Sequence, residues 1–207
     1  PTRWLWTFGL GGVFPLLATP PILDSSFGYR LLASETCVVW WCEATYKIGR
    51  QRALPELRSA AVQIEAARNE YESFQVVLYP TAPLSNVVIR IEDWFHTTNP
   101  ATVLKATNVE ARLVEYVPVQ YPSDAGGSTG LYPDPLSPIP AGLTLAPGLQ
   151  SPFWITVYVP KTQPAGEYVG HLQIEASGLP LPLRIPVRAR VFDFTLPDFT
   201  HTRTLYD

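Results

Sequence analysis

Methionine does not occur in the 207 residues, cysteine occurs twice and histidine three times. With so few soft or imidazole ligands, and with His96, His171 and His201 far apart, the usual metal arrangements are excluded; no metal or other cofactor is expected. Charge is scarce as well: Lys, Arg, Asp and Glu make up 16% of the chain, and the net charge is −3. No basic run is present, which removes the electrostatic footprint of a nucleic-acid partner or an anionic membrane surface. No glycine-rich stretch follows a strand and opens a helix, so nucleotide phosphates have no cradle. The G-x-S-x-G pattern of a strained nucleophile elbow is missing too. Neither an amphipathic helix nor an internal repeat stands out.

Apolar and punctuating residues are plentiful. Hydrophobic residues reach 46% and aromatics 12%, enough for a sizeable core, and 22 prolines and 13 glycines are scattered without a period. That mixture suits many short strands joined by turns. The N-terminal segment carries no charge between Arg3 and Asp24. A basic flank, an apolar stretch and small residues near Ala18 fit the later part of a secretory signal. The same residues also fit an apolar arm packed on the domain or on a neighbour. Residues 1–36 are therefore expected to be a leader or arm, with a secreted or cell-envelope location. A start at Pro1 without any methionine suggests part of a longer polypeptide.

From Val38 onward the pattern is β. "VVWWCEATYKI" is rich in β-branched and aromatic residues. "AVQIEA" puts Val62, Ile64 and Ala66 on one face, and "SFQVVLYP" does the same with Phe74, Val76 and Leu78. "LSNVVIRIEDW" turns Val87, Ile89 and Ile91 inward, while "NVEARLVEYVPVQYP" is long enough to bend at Pro118. Residues 123–150 hold no strand-like run and read as a long Gly/Pro-rich loop, usually functional or covered by a partner. "SPFWITVYVP", "GEYVGHLQIEAS" and "LPLRIPVRARVFDF" complete the set, the last at period two from Leu181. About eight short strands with turn signals predict an all-β fold, a two-sheet antiparallel β-sandwich of immunoglobulin-like or jelly-roll-like kind, over residues 37–207. Cys37 and Cys42 face opposite ways on an extended strand, which favours two buried thiols over a disulfide.

Two acidic pairs test for catalysis. Glu70 and Glu72, in "ARNEYES", sit two apart, which in a strand gives about 6.6 Å, near the spacing of an inverting glycosidase pair. They share parity with Phe74 and Val76, however, and a closed sandwich has no room for a sugar. A buried carboxylate must instead be tied by hydrogen bonds. The expected role is a structural corner of Arg68, Asn69, Glu70 and Gln75, with Asn69 as turn residue. Glu92 and Asp93 are adjacent, point to opposite faces, and read as a solvated strand end. No catalytic residue is assigned.

The better functional candidates are aromatic. Gly126, Gly127 and Gly130 free the long loop's backbone, and Pro133 and Pro135 stiffen its next stretch. That presents Tyr132 and Asp134 on a shaped loop, with the alternative that Tyr132 folds back as a lid. Trp40 and Trp41 must put one ring inward and one outward; together with Tyr121 they join Tyr132 and Asp134 as candidates for a domain interface or sugar contact.

Five pieces occur in a recognisable order: "WWCEATYKIGRQRALP", "AARNEYESFQVVLYP", "GLYPDPLSP", "FWITVYVPKTQPAGEYVGHLQI" and "VRARVFDFTLP". Together they resemble the N-terminal β-sandwich domain of glycoside hydrolase family 123, over Val38 to Asp207. The resemblance implies a non-catalytic accessory domain followed by a (β/α)8 barrel, absent here. It further implies a parent enzyme similar to retaining N-acetyl-β-galactosaminidases, in which the substrate's acetamido oxygen attacks and a barrel Asp-Glu pair assists. None of those residues maps onto this chain. The implied partners are the barrel of the same polypeptide and glycans containing amino sugars. The alternative is a free-standing carbohydrate-binding or adhesive module.

Overall fold

A computed structural model of the chain describes residues 21–123 and 127–199. Residues 1–20 of the expected leader or arm (1–36), Gly126 and the final residues 200–207 lie outside the described residues. Among the described residues, twelve strands form two facing sheets. The front sheet contains β1 (Tyr29–Ala33), β2 (Cys37–Glu43), β4 (Glu70–Pro80), β8 (Val109–Val119), β9 (Gly130–Ser137) and β10 (Ser151–Val159), in the order β1-β2-β4-β10-β8-β9. The back sheet contains β3 (Val62–Arg68), β5 (Ser85–Ile91), β6 (Trp94–His96), β7 (Val103–Leu104), β11 (Gly166–Ser177) and β12 (Leu183–Thr195). Its order is β3-β12-β11-β6-β7, with β5 also paired to β11. The architecture is the expected two-sheet sandwich.

Period-two patterning becomes a core between the sheets. Val62, Ile64 and Ala66 from β3, Phe74, Val76 and Leu78 from β4, and Phe153, Ile155 and Val157 from β10 are all buried in one cluster. Ile185, Val187, Ala189 and Val191 of β12 close it from the back sheet. Burying such side chains stabilises the fold by about 1.5 to 3 kcal/mol each. Gly170 of β11 has a specific job: a Cβ there would lie 1.9 Å from Cδ1 of fully buried Trp94. Only glycine lets that indole lie across the strand.

Three local expectations change. The sheets are not wholly antiparallel, because β3 and β12 run parallel. β3 leads through a tight corner into β4 of the other sheet, which fixes its direction, and the last strand lies beside it running the same way. Residues 123–150 are not strandless either, since Gly130–Ser137 forms β9 against β8. Its prolines are tolerated because β9 is the outermost strand, with one side free of ladder bonds. The irregularity in β8 falls between Val114 and Tyr116, where its register with β9 shifts, rather than at Pro118. Pro118 lies beyond the Val109–Leu113 stretch that pairs with β10, so no ladder bond is lost on that side.

Tyr29–Ala33, ahead of the expected domain start at Cys37, pairs with β2. Residues before and after it cover the front sheet's outer face over β2 and β4. Trp40, Cys42, Ile48 and Val77 form a second buried cluster there, with Phe27 and Leu54 packed against it. Cys37 and Cys42 are free thiols on opposite faces, one in each cluster. Burial pushes both up to about 12.

Candidate functional site

The chain turns from β3 into β4 at Asn69, whose φ of 62° is left-handed. Asparagine tolerates that conformation because its short polar side chain bonds locally. Here it also bonds at long range. Asn69 Nδ2 donates to the Leu196 carbonyl at 2.9 Å and to Asp198 Oδ1 at 3.2 Å. Its Oδ1 accepts from the Tyr158 hydroxyl at 3.1 Å, and its backbone N–H donates to the Val159 carbonyl at 2.7 Å.

Neighbours tighten the same corner. Glu70 accepts the Ala67 N–H at 2.5 Å, and Arg68 pairs with Asp193 at 3.0 Å while donating to Thr195 Oγ1 at 3.1 Å. The Leu196 N–H donates to the Arg68 carbonyl at 2.9 Å. Lys161 meets Asp198 at 2.5 Å and holds its carboxyl below the usual range, with help from Asn69. Burial raises the Glu72 carboxyl, and the charge of Glu70 adds to that. Neither glutamate lines the clefts described below.

Arg68, Asn69 and Glu70 thus come together, whereas Gln75 does not join them. Five residues further along β4, roughly 16 Å away, it has opposite parity to Glu70. Its amide donates to the Tyr46 carbonyl at 2.7 Å on the outer face. Glu92 and Asp93 are occupied as well. Glu92 pairs with Arg184 at 2.7 Å, and Asp93 accepts from the Ala106 N–H at 2.8 Å and Lys105 at 3.0 Å. Among the described residues no group of three His, Cys, Asp or Glu could hold a metal ion.

Trp41 faces inward against Tyr29, with centroids 5.4 Å apart, and Trp40 faces outward, as strand parity requires. The expected free outward ring is nevertheless absent: Trp40 is 0% exposed. The Arg52 guanidinium lies 4.3 Å over its ring and 4.1 Å over Phe27, and donates to the Asp24 and Phe27 carbonyls. Gln150 accepts the Trp40 indole N–H at 2.9 Å and returns a bond to the Arg52 carbonyl. Burial lowers Arg52 to about 10. Parity gives a side chain's face, and a second layer decides whether that face meets water.

Tyr132 and Asp134 stand on β9. Tyr132 shares a hydroxyl contact of 2.6 Å with Ser128 and lines a cleft of about 460 Å³ with Ile22, Leu23, Arg50, Leu131 and Leu149. Asp134 pairs with Lys47 at 3.7 Å beside a smaller cleft of about 230 Å³ that Trp154 and Gln75 also line. Tyr121 follows β8 and is 89% exposed.

The uncovered part of the front sheet's outer face carries an aromatic pair that sequence reasoning passed over. Tyr71 and Tyr158 are opposite neighbours on β4 and β10 and stack at 4.6 Å. Next to them the Ser73 and Thr156 hydroxyls meet at 3.2 Å, and then comes the row of Gln75, Trp154 and Arg112. The signal was available: Tyr71 and Tyr158 have opposite parity to the core runs Phe74–Leu78 and Phe153–Val157.

Fold and site together define a β-sandwich domain in which Glu70, Glu92 and Asp93 are tied structurally and whose open aromatic surface is suited to contact. The chain belongs to the glycoside hydrolase 123 N-terminal domain family, whose model matches residues 42–176. Among solved structures it is similar to a family 123 glycoside hydrolase from Clostridium perfringens, studied for glycolipid glycan hydrolysis. The TM-score is 0.58 and the identity 16%, covering 69% of this chain and 24% of that one. The match therefore spans about a quarter of that relative's length. A weaker likeness links it to the CooA pilin subunit of enterotoxigenic Escherichia coli, with TM-score 0.37 and 11% identity over 77% of this chain and 99% of that one. Another links it to a PapD-like domain of human CEP192, with TM-score 0.39 and 10% identity over 91% and 99%. Those two carry no argument. No curated protein matches the chain.

Proposed function

We propose that the chain is the non-catalytic N-terminal sandwich of a glycoside hydrolase acting on N-acetyl-β-galactosaminides, and that it supports a following (β/α)8 barrel. The observation that carries this reading is the family match over residues 42–176, set beside Glu70, Glu92 and Asp93, which are consumed by structural bonds. The barrel supplies the Asp-Glu pair and the substrate's acetamido group supplies the nucleophile; the sandwich contributes position. Export to the cell envelope or medium belongs to the same reading and is tested by N-terminal sequencing of the mature protein.

The test is to express the reading frame extended past Asp207 beside the 207-residue chain. Hydrolysis of a chromogenic N-acetyl-β-galactosaminide is expected from the extended chain alone. Activity in the 207-residue chain, or an extended frame without a second domain, overturns the reading. A second reading, a free-standing glycan-binding module, is favoured by the stacked and open Tyr71–Tyr158 pair. It requires glycan retention by the 207-residue chain that Tyr71→Ala abolishes.

A further inference from the structure

The two outer faces of the sandwich differ in character. The back sheet is laced with ion pairs: Arg90 with Glu175 at 2.7 Å, Arg184 with Glu92 at 2.7 Å, and Arg190 with Glu65 at 3.6 Å and Glu167 at 3.8 Å. Such a surface is stable in water and costly to desolvate. The front sheet beside the corner carries instead the Tyr71–Tyr158 stack, with Tyr71 70% exposed, and the Ser73 and Thr156 hydroxyls, bordered on β8 by the Arg112–Glu110 ion pair at 2.7 Å. Aromatic side chains with short hydroxyls and few charges are what a protein interface core uses.

The path of the chain selects between that end and the other. After β12 the backbone is tied down twice at Leu196 and the Asp198 carboxylate adds further ties, every one running to Arg68, Asn69 or Lys161. Asn69 accepts the Tyr158 hydroxyl, and Tyr158 stacks on Tyr71. The outgoing segment is therefore one side chain away from the aromatic pair. Phe199, 79% exposed, follows Asp198 directly on that segment, whereas Phe194 stacks on Phe192 at 5.8 Å beside Arg190 of the back sheet. By contrast, Tyr132 pairs opposite Val117, whereas Val109, opposite Val157, marks the corner end of the same strand. The loop aromatics thus lie roughly 26 Å along the sheet from the exit.

We infer that the catalytic domain of the same polypeptide docks on the corner end of the front sheet, burying Tyr71, Tyr158 and Phe199, with Asn69 as the clamp that sets its approach. This inference rests on the two-domain reading above. Its occupant is that domain because the family relative extends well beyond the shared sandwich, which spans 24% of its chain, and because the outgoing segment is fastened at this patch. Asn69 is a positioning residue that acts by holding the outgoing segment.

The experiment is amide hydrogen exchange on the extended chain and on the 207-residue chain, with Y71R made in both. Slower exchange at residues 70–74 and 155–159 in the extended chain, with no such change at 116–121 and 130–134, is the expected result. Tyr71→Arg is expected to leave the melting of the 207-residue chain unchanged, because the side chain is largely in solvent there. In the extended chain it should restore fast exchange at the patch and split one melting transition into two. Protection confined to the Tyr121–Tyr132 end, or an extended chain indifferent to Tyr71→Arg, overturns the docking face while the two-domain reading stands. An active extended chain with no protection at either end overturns it equally. A reading frame without a further domain overturns both.

Discussion

Replacing Asn69 separates two contributions that the corner combines. Asn69→Gly keeps the left-handed backbone at φ 62° but removes three side-chain bonds, to Leu196, Asp198 and from Tyr158. Those bonds are partly exposed, so together they contribute about 1 to 2 kcal/mol rather than the sum of three buried ones. Glycine's extra freedom in the unfolded chain adds about 0.5 kcal/mol. Asn69→Ala loses the same bonds and must also place a Cβ in the left-handed region, a strain of about 1 to 2 kcal/mol. Alanine is therefore expected to be the worse substitution by about 0.5 to 1.5 kcal/mol, although it is the better residue almost anywhere else. Urea unfolding of the 207-residue chain measures both losses, and melting should fall about 2 to 4 °C for each kcal/mol in a domain of this size. A neutral Asn69→Gly would show that the long-range bonds contribute nothing. An Asn69→Ala no worse than Asn69→Gly would show that the backbone is not constrained there.

Three further outcomes are expected. Glu70→Ala leaves the Ala67 N–H without its acceptor and should cost about 1 to 3 kcal/mol in urea unfolding; an unchanged midpoint contradicts the corner. Gly170→Ala drives a Cβ into Trp94 and should cost about 1 to 3 kcal/mol or more by overpacking, read as a lower melting temperature with altered tryptophan fluorescence. Cys37 and Cys42, pushed up from 9.0 to about 12 by burial, deprotonate in the unfolded chain first. Stability from them is complete below about pH 9 and declines as pH rises towards 12. Alanine at both positions should flatten that decline, leaving the parts due to buried Tyr116 and Tyr168 against the opposite trend from Arg52, and the native thiols should react with Ellman's reagent only on unfolding.

Alternation made much of this fold readable. The runs Val62–Ala66, Phe74–Leu78 and Leu183–Val191 announced both their strands and their buried faces, because a pleated strand offers its faces in turn and only one met the core. The corner was legible at Arg68, Asn69 and Glu70 for a similar reason: charge and a turn residue interrupted an apolar run. β9 was hidden, since its prolines and glycine are the vocabulary of loops and only an edge position excuses them. Gln75 was assigned to the corner through closeness in sequence, but its parity carried it to the other face.

The sequence by itself determined the class, the core-facing residues, the opposed thiols and the family. Period and composition are local properties, and they survive without knowledge of partners. Only the tertiary structure decided which sheet each strand joins, that β3 and β12 run parallel, and that Trp40 lies beneath Arg52 and Phe27. It alone joined Asn69 to Leu196 and Asp198, residues far along the chain. A strand's pattern says which face is apolar but not which strand, covering loop or returning segment will lie against it. That choice belongs to the packing of the whole chain.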